Sequence, residues 1–470
     1  TRASMSDRGK VGAGVNSADI RLNTRQEVPS KRRVYGQVLI GGPLFFEESK
    51  DTLYYQGFLW SIGPISEVLR VQNSSDIIFL PTRDFGQILA PEQNFDGPPF
   101  VGNVRVSLRQ GLRNQPIDPL LAEAFPDLDP DTFRQRGVAT LVLEASSGAS
   151  FDEFEAMWGT SRRPNPVALI RGVPIYDPRD PSQRLPYDPN DPDDLEDAML
   201  TWKWSNNASL VQADYLWWKD GGRMPLSTMR WDEIGRSADY DQGLIATKSG
   251  ELIPRHTIDG VVTAGQSPVN ILQSMLTANR GFVVRHQGRV WVQSSRPIRK
   301  PVLTITDDMI KGGIEFRRSQ PKRNLLNRAR VRFIDPRQEW TTVDGPILDR
   351  PEWREGDGDL YEASMDFMWT ADHRRAQRLQ KASLEESRLG RLVTTALDVE
   401  SVGLKAGDVV RFDLKLVPRI NGTYRLTEVG LADGLSAIRI ACAEYDWTIE
   451  TDWNAAVDEQ DFVLPDLEVT

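Results

Sequence analysis

Short apolar runs separated by Gly, Pro, Asp and Asn dominate the first third of the chain. The run Val34-Tyr35-Gly36-Gln37-Val38-Leu39-Ile40 predicts a strand interrupted by a glycine, with regular structure beginning at Val34. Leu44-Phe45-Phe46 and the aromatic-rich stretch 52–62 predict two more strands, and others are expected at 65–71, 76–80, 103–108 and 138–144. That spacing points to an antiparallel barrel or sandwich. Ser150-Phe151-Asp152-Glu153 has the form of a capping box, so a helix should follow with Phe154, Met157 and Trp158 on its apolar side.

Between 161 and 200 the pattern changes. Prolines stand at 164, 166, 174, 178, 181, 186, 189 and 192, a density that argues for an ordered-loop excursion rather than helix or central strand. Asn206 or Asn207 then caps a helix with Ala208, Val211, Tyr215 and Trp218 along one stripe, stopped by Gly221-Gly222. Beyond residue 257 the pattern reads strand, helix, strand, strand. Ser267 and Pro268 start the helix, and Gln287-Gly288 turns a hairpin between 281–284 and 289–292. Ala329, Val331 and Phe333 alternate with Arg328, Arg330 and Arg332, as in a half-buried strand. A basic helix is expected over about 370–391 and strands again from 393 to 447.

These patterns divide the chain into a basic N-terminal arm at 1–33, a first β-barrel-like unit at 34–160 and a Pro/Asp/Trp-rich insertion with a helix at 161–255. A small α/β unit at 256–335, a helix with a second β-barrel-like region at 336–450 and an acidic arm at 451–470 follow. The arm at 1–33 reads as an extended segment ordered against a neighbour, or as plain disorder.

Composition narrows the function classes. With 57 Lys+Arg against 67 Asp+Glu the net charge is −10, which argues against a general or sequence-specific nucleic-acid binder. No stretch is apolar for long enough to span a bilayer. One cysteine, Cys442, excludes an intrachain disulfide framework and reads as a small buried core residue. The three histidines, His256, His286 and His373, read as surface residues. No nucleophile elbow, zinc helix, Walker loop or Cys-x-x-Cys is present. Gly12-Ala13-Gly14 lacks both the third glycine and a preceding strand. No catalytic set, metal site or cofactor is therefore expected. The acidic group Asp188, Asn190, Asp191, Asp193, Asp194, Glu196 and Asp197 has Pro192 at the fifth position and no central glycine, so it reads as a solvated loop rather than a Ca²⁺ site.

Two clusters could form interfaces. Trp202, Trp204, Trp217, Trp218 and Trp231 fall within thirty residues, forming either a satellite core or a contact surface in which Trp217 and Trp218 are the candidates. Arg317, Arg318, Lys322 and Arg323 open a basic stretch that continues through Arg328, Arg330 and Arg332. It forms either a solvated sheet face or a contact for an acidic protein.

Several segments together resemble the hub region of siphophage tail-tip proteins, the family of the lambda tip attachment (host specificity) protein J. That family is related to gene transfer agent and contractile baseplate hubs. Gly63-Pro64-Ile65 and its following strand, Gly172-Val173-Pro174-Ile175-Tyr176-Asp177-Pro178 and Trp204-Ser205-Asn206-Asn207 are similar to family segments, in family order. So are 269–281 with Val290-Trp291-Val292, and 327–336 with Trp340. Ala208 stands where the family has proline, and the acidic insert at 180–197 is a departure.

The resemblance covers about 34–450 and implies a mainly β, multidomain hub with two tail-tube-like β-barrels and smaller α/β modules. It implies a non-enzymatic homotrimer at the distal end of a virion tail, assembled in the host cytoplasm, that adapts a sixfold tube to a threefold tip and gates DNA ejection. Its implied neighbours are the distal tail protein, other tail-tip proteins and the C-terminus of the tape measure protein, with host attachment through a separate fibre or receptor-binding protein. The residues leave two other classes open: a carbohydrate-binding or glycan-hydrolysing tail-associated protein, and the spike hub of a contractile injection system.

Overall fold

The computed structural model describes residues 20–25, 29–73, 76–79, 82–92, 100–146, 148, 150–158, 163–319, 324–398, 403–432 and 436–462. Its architecture is mainly β, in several sheets, as the sequence pattern predicts.

Two sheets face each other over the first core. One has the strand order Gln37–Ile40, Pro166–Arg171, Glu67–Asn73, Asp76–Phe79; the other runs Leu44–Lys50, Leu53–Ile62, Val138–Ser146, Val104–Arg109, Ile88–Leu89. All pairings are antiparallel. Val38, Val68, Val71 and Ile170 from the first meet Phe58, Trp60, Val106 and Leu141 from the second. The Val138–Ser146 strand is buried along nearly its whole length, because the short helix Pro119–Ala124 covers Val142 on its outer face through Leu120 and Leu121. A strand buried on both faces needs a near-continuous apolar run, interrupted here by Thr140 and by Glu144, which Arg105 holds at 2.5 Å. The helix Phe151–Trp158 closes one end, and its start is capped as expected, Glu153 N donating to Ser150 Oγ at 3.1 Å.

The second core is helical on one side. Ala208–Trp217, Trp231–Gln242 and Pro268–Leu276 pack around the hairpin Phe282–His286/Arg289–Gln293. Gln287 (φ 49°) and Gly288 (φ 72°) form the two-residue turn, whose left-handed positions match the strand twist. Residues 208–216 of the central helix are all buried, so this helix is enclosed on every side. Asn207 caps it, accepting from Leu210 N at 3.3 Å.

The third core lies inside a six-stranded sheet ordered Leu303–Ile305, Val409–Phe412, Gly422–Ala432, Ala437–Glu444, Leu392–Asp398, Glu315–Arg317. Ile305, Val393, Phe412, Tyr424 and Ile440 share one cluster with Leu404, Leu414 and Ile420 from the connecting turns. The sheet thus wraps a core made of its own strands and turns. Two of its strands, Leu303–Ile305 and Glu315–Arg317, come from the stretch expected to belong to the small α/β unit. In a fourth layer, Arg328–Asp335 is central, parallel to Glu362–Phe367 and antiparallel to Thr341–Asp344 and Leu348–Asp349. Ala329, Val331 and Phe333 face Ala376 and Leu379 of the helix His373–Glu386.

The structure corrects several expectations. The proline-rich stretch holds a central strand, Pro166–Arg171, in which the proline occupies the first position, where strands tolerate it. It also holds a helix, Pro192–Met199, in place of the expected acidic loop. Pro192 takes the first helical position, and Asp191 caps it by accepting from Asp193 N at 3.0 Å. The strand expected from Val34 starts two residues earlier, at Arg32, and pairs with Gly260–Thr263. Within the N-terminal arm, residues 20–25 pack on the chain itself: Ile20 is buried, and Gly42 N donates to Asn23 Oδ1 at 2.7 Å.

One buried ion pair joins the first two cores. Arg33 and Asp214, 3% and 1% exposed at their side chains, meet through Nη2–Oδ2 at 2.9 Å and Nε–Oδ2 at 3.1 Å, and Tyr35 OH donates to the same Oδ2 at 2.6 Å. Asp214→Ala leaves Arg33 charged in the interior and is expected to cost about 3–5 kcal/mol, seen as a lower urea midpoint. Arg33→Met combined with Asp214→Leu removes both charges and should recover most of that loss. Equal losses in the single and double variants would refute this account of the pair.

Candidate functional site

The basic stretch singled out in the sequence divides into two parts. Arg328, Arg330 and Arg332 project from one edge of their strand toward the parallel neighbour, where Glu362 lies 3.3 Å from Arg328 and 2.7 Å from Arg330, and Asp366 lies 2.7 Å from Arg332. This half is a solvated, neutralised sheet face. Arg317 and Arg318 are exposed at the sheet edge, while Lys322 and Arg323 lie outside the described residues.

Arg318 belongs to an open groove of about 820 Å³, lined also by Phe316, Leu325, Arg388, Arg391, Arg419 and Glu444. Three elements build it. The edge strand Glu315–Arg317 pairs with Leu392–Asp398 so that Phe316 lies opposite Val393 and sends its ring toward the core. The stretch after the helix His373–Glu386 supplies Arg388 and Arg391, and the short turn Pro418–Ile420 supplies Arg419. Arg388 is held by Asp357 through bonds of 2.8 and 2.9 Å. Arg391 Nε donates to Glu444 Oε1 at 2.8 Å, while Gly390 N and Arg391 N donate to Oε2 at 3.1 Å each. Burial works to raise the Glu444 carboxyl, but these donors outweigh it and hold it below the ordinary range.

Among the described residues Arg318 and Arg419 have no carboxylate within ion-pair distance, and the Arg419 guanidinium lies 5.9 Å from the centre of the Phe316 ring. The groove therefore offers two uncommitted guanidiniums over an apolar floor of Phe316 and Leu325. That chemistry fits an extended acidic segment. Arg388, Arg391 and Arg419 escape a sequence reading because they sit about 70 to 100 positions after Arg318, and only the sheet order brings them together.

The tryptophans lie mostly inward. Trp202 and Trp218 are buried; Trp204, Trp217 and Trp231 are half-buried. Trp202 and Trp217 meet edge to face at 5.9 Å, and Tyr176 meets Trp231 the same way at 5.0 Å. Trp202 Nε1 donates to Arg184 O at 2.7 Å, and Trp218 lies under Arg33 at 5.3 Å. The Tyr176-Asp177-Pro178-Arg179 segment packs this cluster onto the helix Trp231–Gln242, where Arg179 reaches Asp239 at 3.0 Å.

His256 is buried, contrary to the surface position expected for it; His286 and His373 are half-buried. Cys442 is buried in the third core, and burial pushes its thiol up to about 12. Among the described residues no three His, Cys, Asp or Glu side chains converge as metal ligands. Of the acidic group, Asp193 pairs with Arg113 at 2.5 Å and Asp194 with Arg184 at 2.8 Å. No helix among the described residues is long and apolar enough to cross a membrane.

Residues 267–429 match a family model described as putative phage tail protein. A chain of the virion of a native gene transfer agent particle shares the fold at a TM-score of 0.63 and 16% identity, over 93% of this chain and 89% of that one. The 43 kDa tail protein of prophage MuSo2 from Shewanella oneidensis aligns at a TM-score of 0.29 and 9% identity, over 89% of this chain and 98% of that one. The tail protein from Neisseria meningitidis MC58 aligns at 0.33 and 9%, over 92% and 97%. No curated protein matches the chain. The match over 267–429 supports a tail protein as the class.

A buried carboxylate gives a test of the second core. Asp241 is fully buried and accepts from Ser209 N at 2.9 Å, Ser209 Oγ at 2.6 Å and Ser294 Oγ at 2.7 Å. Burial outweighs these bonds and pushes it up to about 6. The folded chain thus takes up this proton near pH 6, and the unfolded chain only near the ordinary aspartate value. The protein gains stability as pH falls through 6 and loses it again as pH rises. Relative to Asp241→Asn, the unfolding free energy of the native sequence should rise by about 2 kcal/mol between pH 7.5 and 4.5. Urea titrations at the two pH values check this, and a difference independent of pH would refute it.

Proposed function

We propose that the chain is the structural hub of a siphovirus-like tail tip. In this reading three copies form a ring in which each contributes two tube-like β units, adapting a sixfold tail tube to a threefold tip and closing it until DNA is ejected. The observation that carries the reading is the presence in one chain of two separately cored β systems, the two-sheet body around Trp60 and the curled sheet around Phe412. Their pairing supports a subunit that presents two similar surfaces to a ring. The match over 267–429 supports a tail role for the region that includes most of the second β system.

The hub acts without catalysis, through interfaces. The groove at Arg318 and Arg419 is the contact we assign to an acidic neighbour, drawn from the distal tail protein, another tail-tip protein or the tape measure protein C-terminus. Host attachment then falls to a separate fibre or receptor-binding protein at the distal end of the virion.

Gold-labelled antibody against the chain, applied to negatively stained particles, should mark the distal tail tip. Label along the tube or on the capsid, or intact tails without label, would sink the reading. Arg318→Glu with Arg419→Glu should leave the Tm of the free chain unchanged and lower its incorporation into particles by about tenfold or more. Normal incorporation of that variant would remove the groove from the assembly interface while leaving the hub reading to the label.

A further inference from the structure

A second cluster of cations lies away from the groove. A cavity of about 20 Å³ opens where the helix Trp231–Gln242, the turn at Arg255–His256, the helix His373–Glu386 and the segment around Glu450 meet. That volume holds one small molecule or ion. Its charged lining is Arg255, Arg280, Arg378 and Lys381 against Glu450 and Asp452.

The acids are already committed. Arg280 takes both Glu386 and Glu450 at 2.8 Å, and Lys381 takes Asp458 at 2.8 Å and also reaches Asp452 at 3.5 Å. Arg255 stacks on Tyr240 at 4.5 Å, and its buried Nε has no acceptor. Arg378 donates through Nη2 to Arg255 O. The same nitrogen lies 3.3 Å from His256 Nδ1, but Ala278 O sits 3.0 Å from that Nδ1. A carbonyl can only accept, so Nδ1 carries the proton and gives Arg378 nothing. One carbonyl is then the sole acceptor for the five N–H groups of Arg378 among the described residues. A water could accept from those groups, but it would leave two adjacent, half-buried guanidiniums with Glu450, already shared with Arg280, as the nearby countercharge.

We propose that this cavity binds a small monoanion of about chloride size, held by Arg378 and Arg255, which fastens the basic helix to the helical body. The inference does not rest on the tail-hub reading.

The test is thermal unfolding of the full chain in sodium chloride or bromide against sodium gluconate at equal ionic strength, since gluconate is too large for the cavity. A saturable rise in Tm of about 2–4 °C with halide is expected, and its loss in Arg378→Met. Equal Tm values in the two salts, or an undiminished halide response in Arg378→Met, would overturn it. If that variant does not fold, crystals grown in bromide decide: an anomalous peak beside the Arg378 guanidinium supports the site, and its absence ends the proposal.

Discussion

The run from Arg32 to Ile40 serves two sheets and two cores at once, and the arrangement of the first half of the chain follows from it. Arg32–Tyr35 pairs with Gly260–Thr263; after a bend at Gly36, Gln37–Ile40 pairs with Pro166–Arg171. Strand alternation then divides the side chains. Val34 and Val261 enter the core of the two-sheet body, while Tyr35 and Val262 enter the helical one. This strand pair is a wall with a different core on each face. Gly36 is obligatory at the bend: its φ is 66°, and a Cβ there would stand 2.3 Å from Asp259 Oδ1 and 2.4 Å from Ile258 O. Gly172 lets the returning chain pass Val34, where a Cβ would lie 2.2 Å from the Val34 carbonyl.

The Arg33–Asp214 pair has to be understood against that wall. Arg33 sits on the same face as Tyr35, so its charge must enter the helical body. A buried pair adds little net stability over apolar residues of the same volume, because both charges leave water. It does penalise any register in which they part. A one-residue slip of the strand would exchange Val34 for Arg33 in the first core. The other joints follow a related logic with wetter partners. Trp340 closes the back of the Gln37–Ile40 sheet against Leu39 and donates Nε1–H to Gln37 O at 3.2 Å. Arg280 reaches the fourth layer through Glu386 and the segment after the third sheet through Glu450, and the third sheet is tied on further by Arg425, which lies 4.2 Å over the Tyr445 ring and donates to Ser295 Oγ at 3.1 Å. Large apolar cores lie inside each body, and where the bodies meet polar contacts act beside apolar ones such as Leu39, Val167 and Leu169 against Ile334 and Trp340.

This division explains what the sequence reveals. The capping box at Ser150, the Asn207 cap, the Gln287-Gly288 hairpin and the alternation at Ala329, Val331 and Phe333 are local devices, complete within a few residues, and all are legible. Proline misleads when it is counted rather than placed: Pro166 opens a central strand and Pro192 opens a helix, positions where the missing N–H is not needed. His256 has polar neighbours in sequence, yet its ring is buried among Tyr240, the Ala278 carbonyl and Arg378, the last more than a hundred residues away. The groove is partly legible for the same reason. Arg317 and Arg318 stand out as a basic run, but the pairing of Phe316 with Val393 and the return of the chain at Pro418 decide which cations join them.

Among the cations of the groove and of the neighbouring sheet face, commitment rather than charge density separates one from another. The parallel register places Arg328 opposite Glu362 and Arg332 opposite Asp366, so that sheet face neutralises itself. Arg388 and Arg391 are likewise held by Asp357 and Glu444. Of the groove's arginines, Arg318 and Arg419 remain without an ion-pair partner among the described residues, on a chain whose net charge is −10. At physiological ionic strength charges farther apart than about 8 Å are largely screened, so the overall acidity repels an acidic partner only weakly at contact. Within the groove the uncommitted guanidiniums act at short range, above an apolar floor that adds burial to the charge contact. In the proposed contact local imbalance outweighs the repulsion that the net charge would predict, and an interface built this way should weaken with added salt.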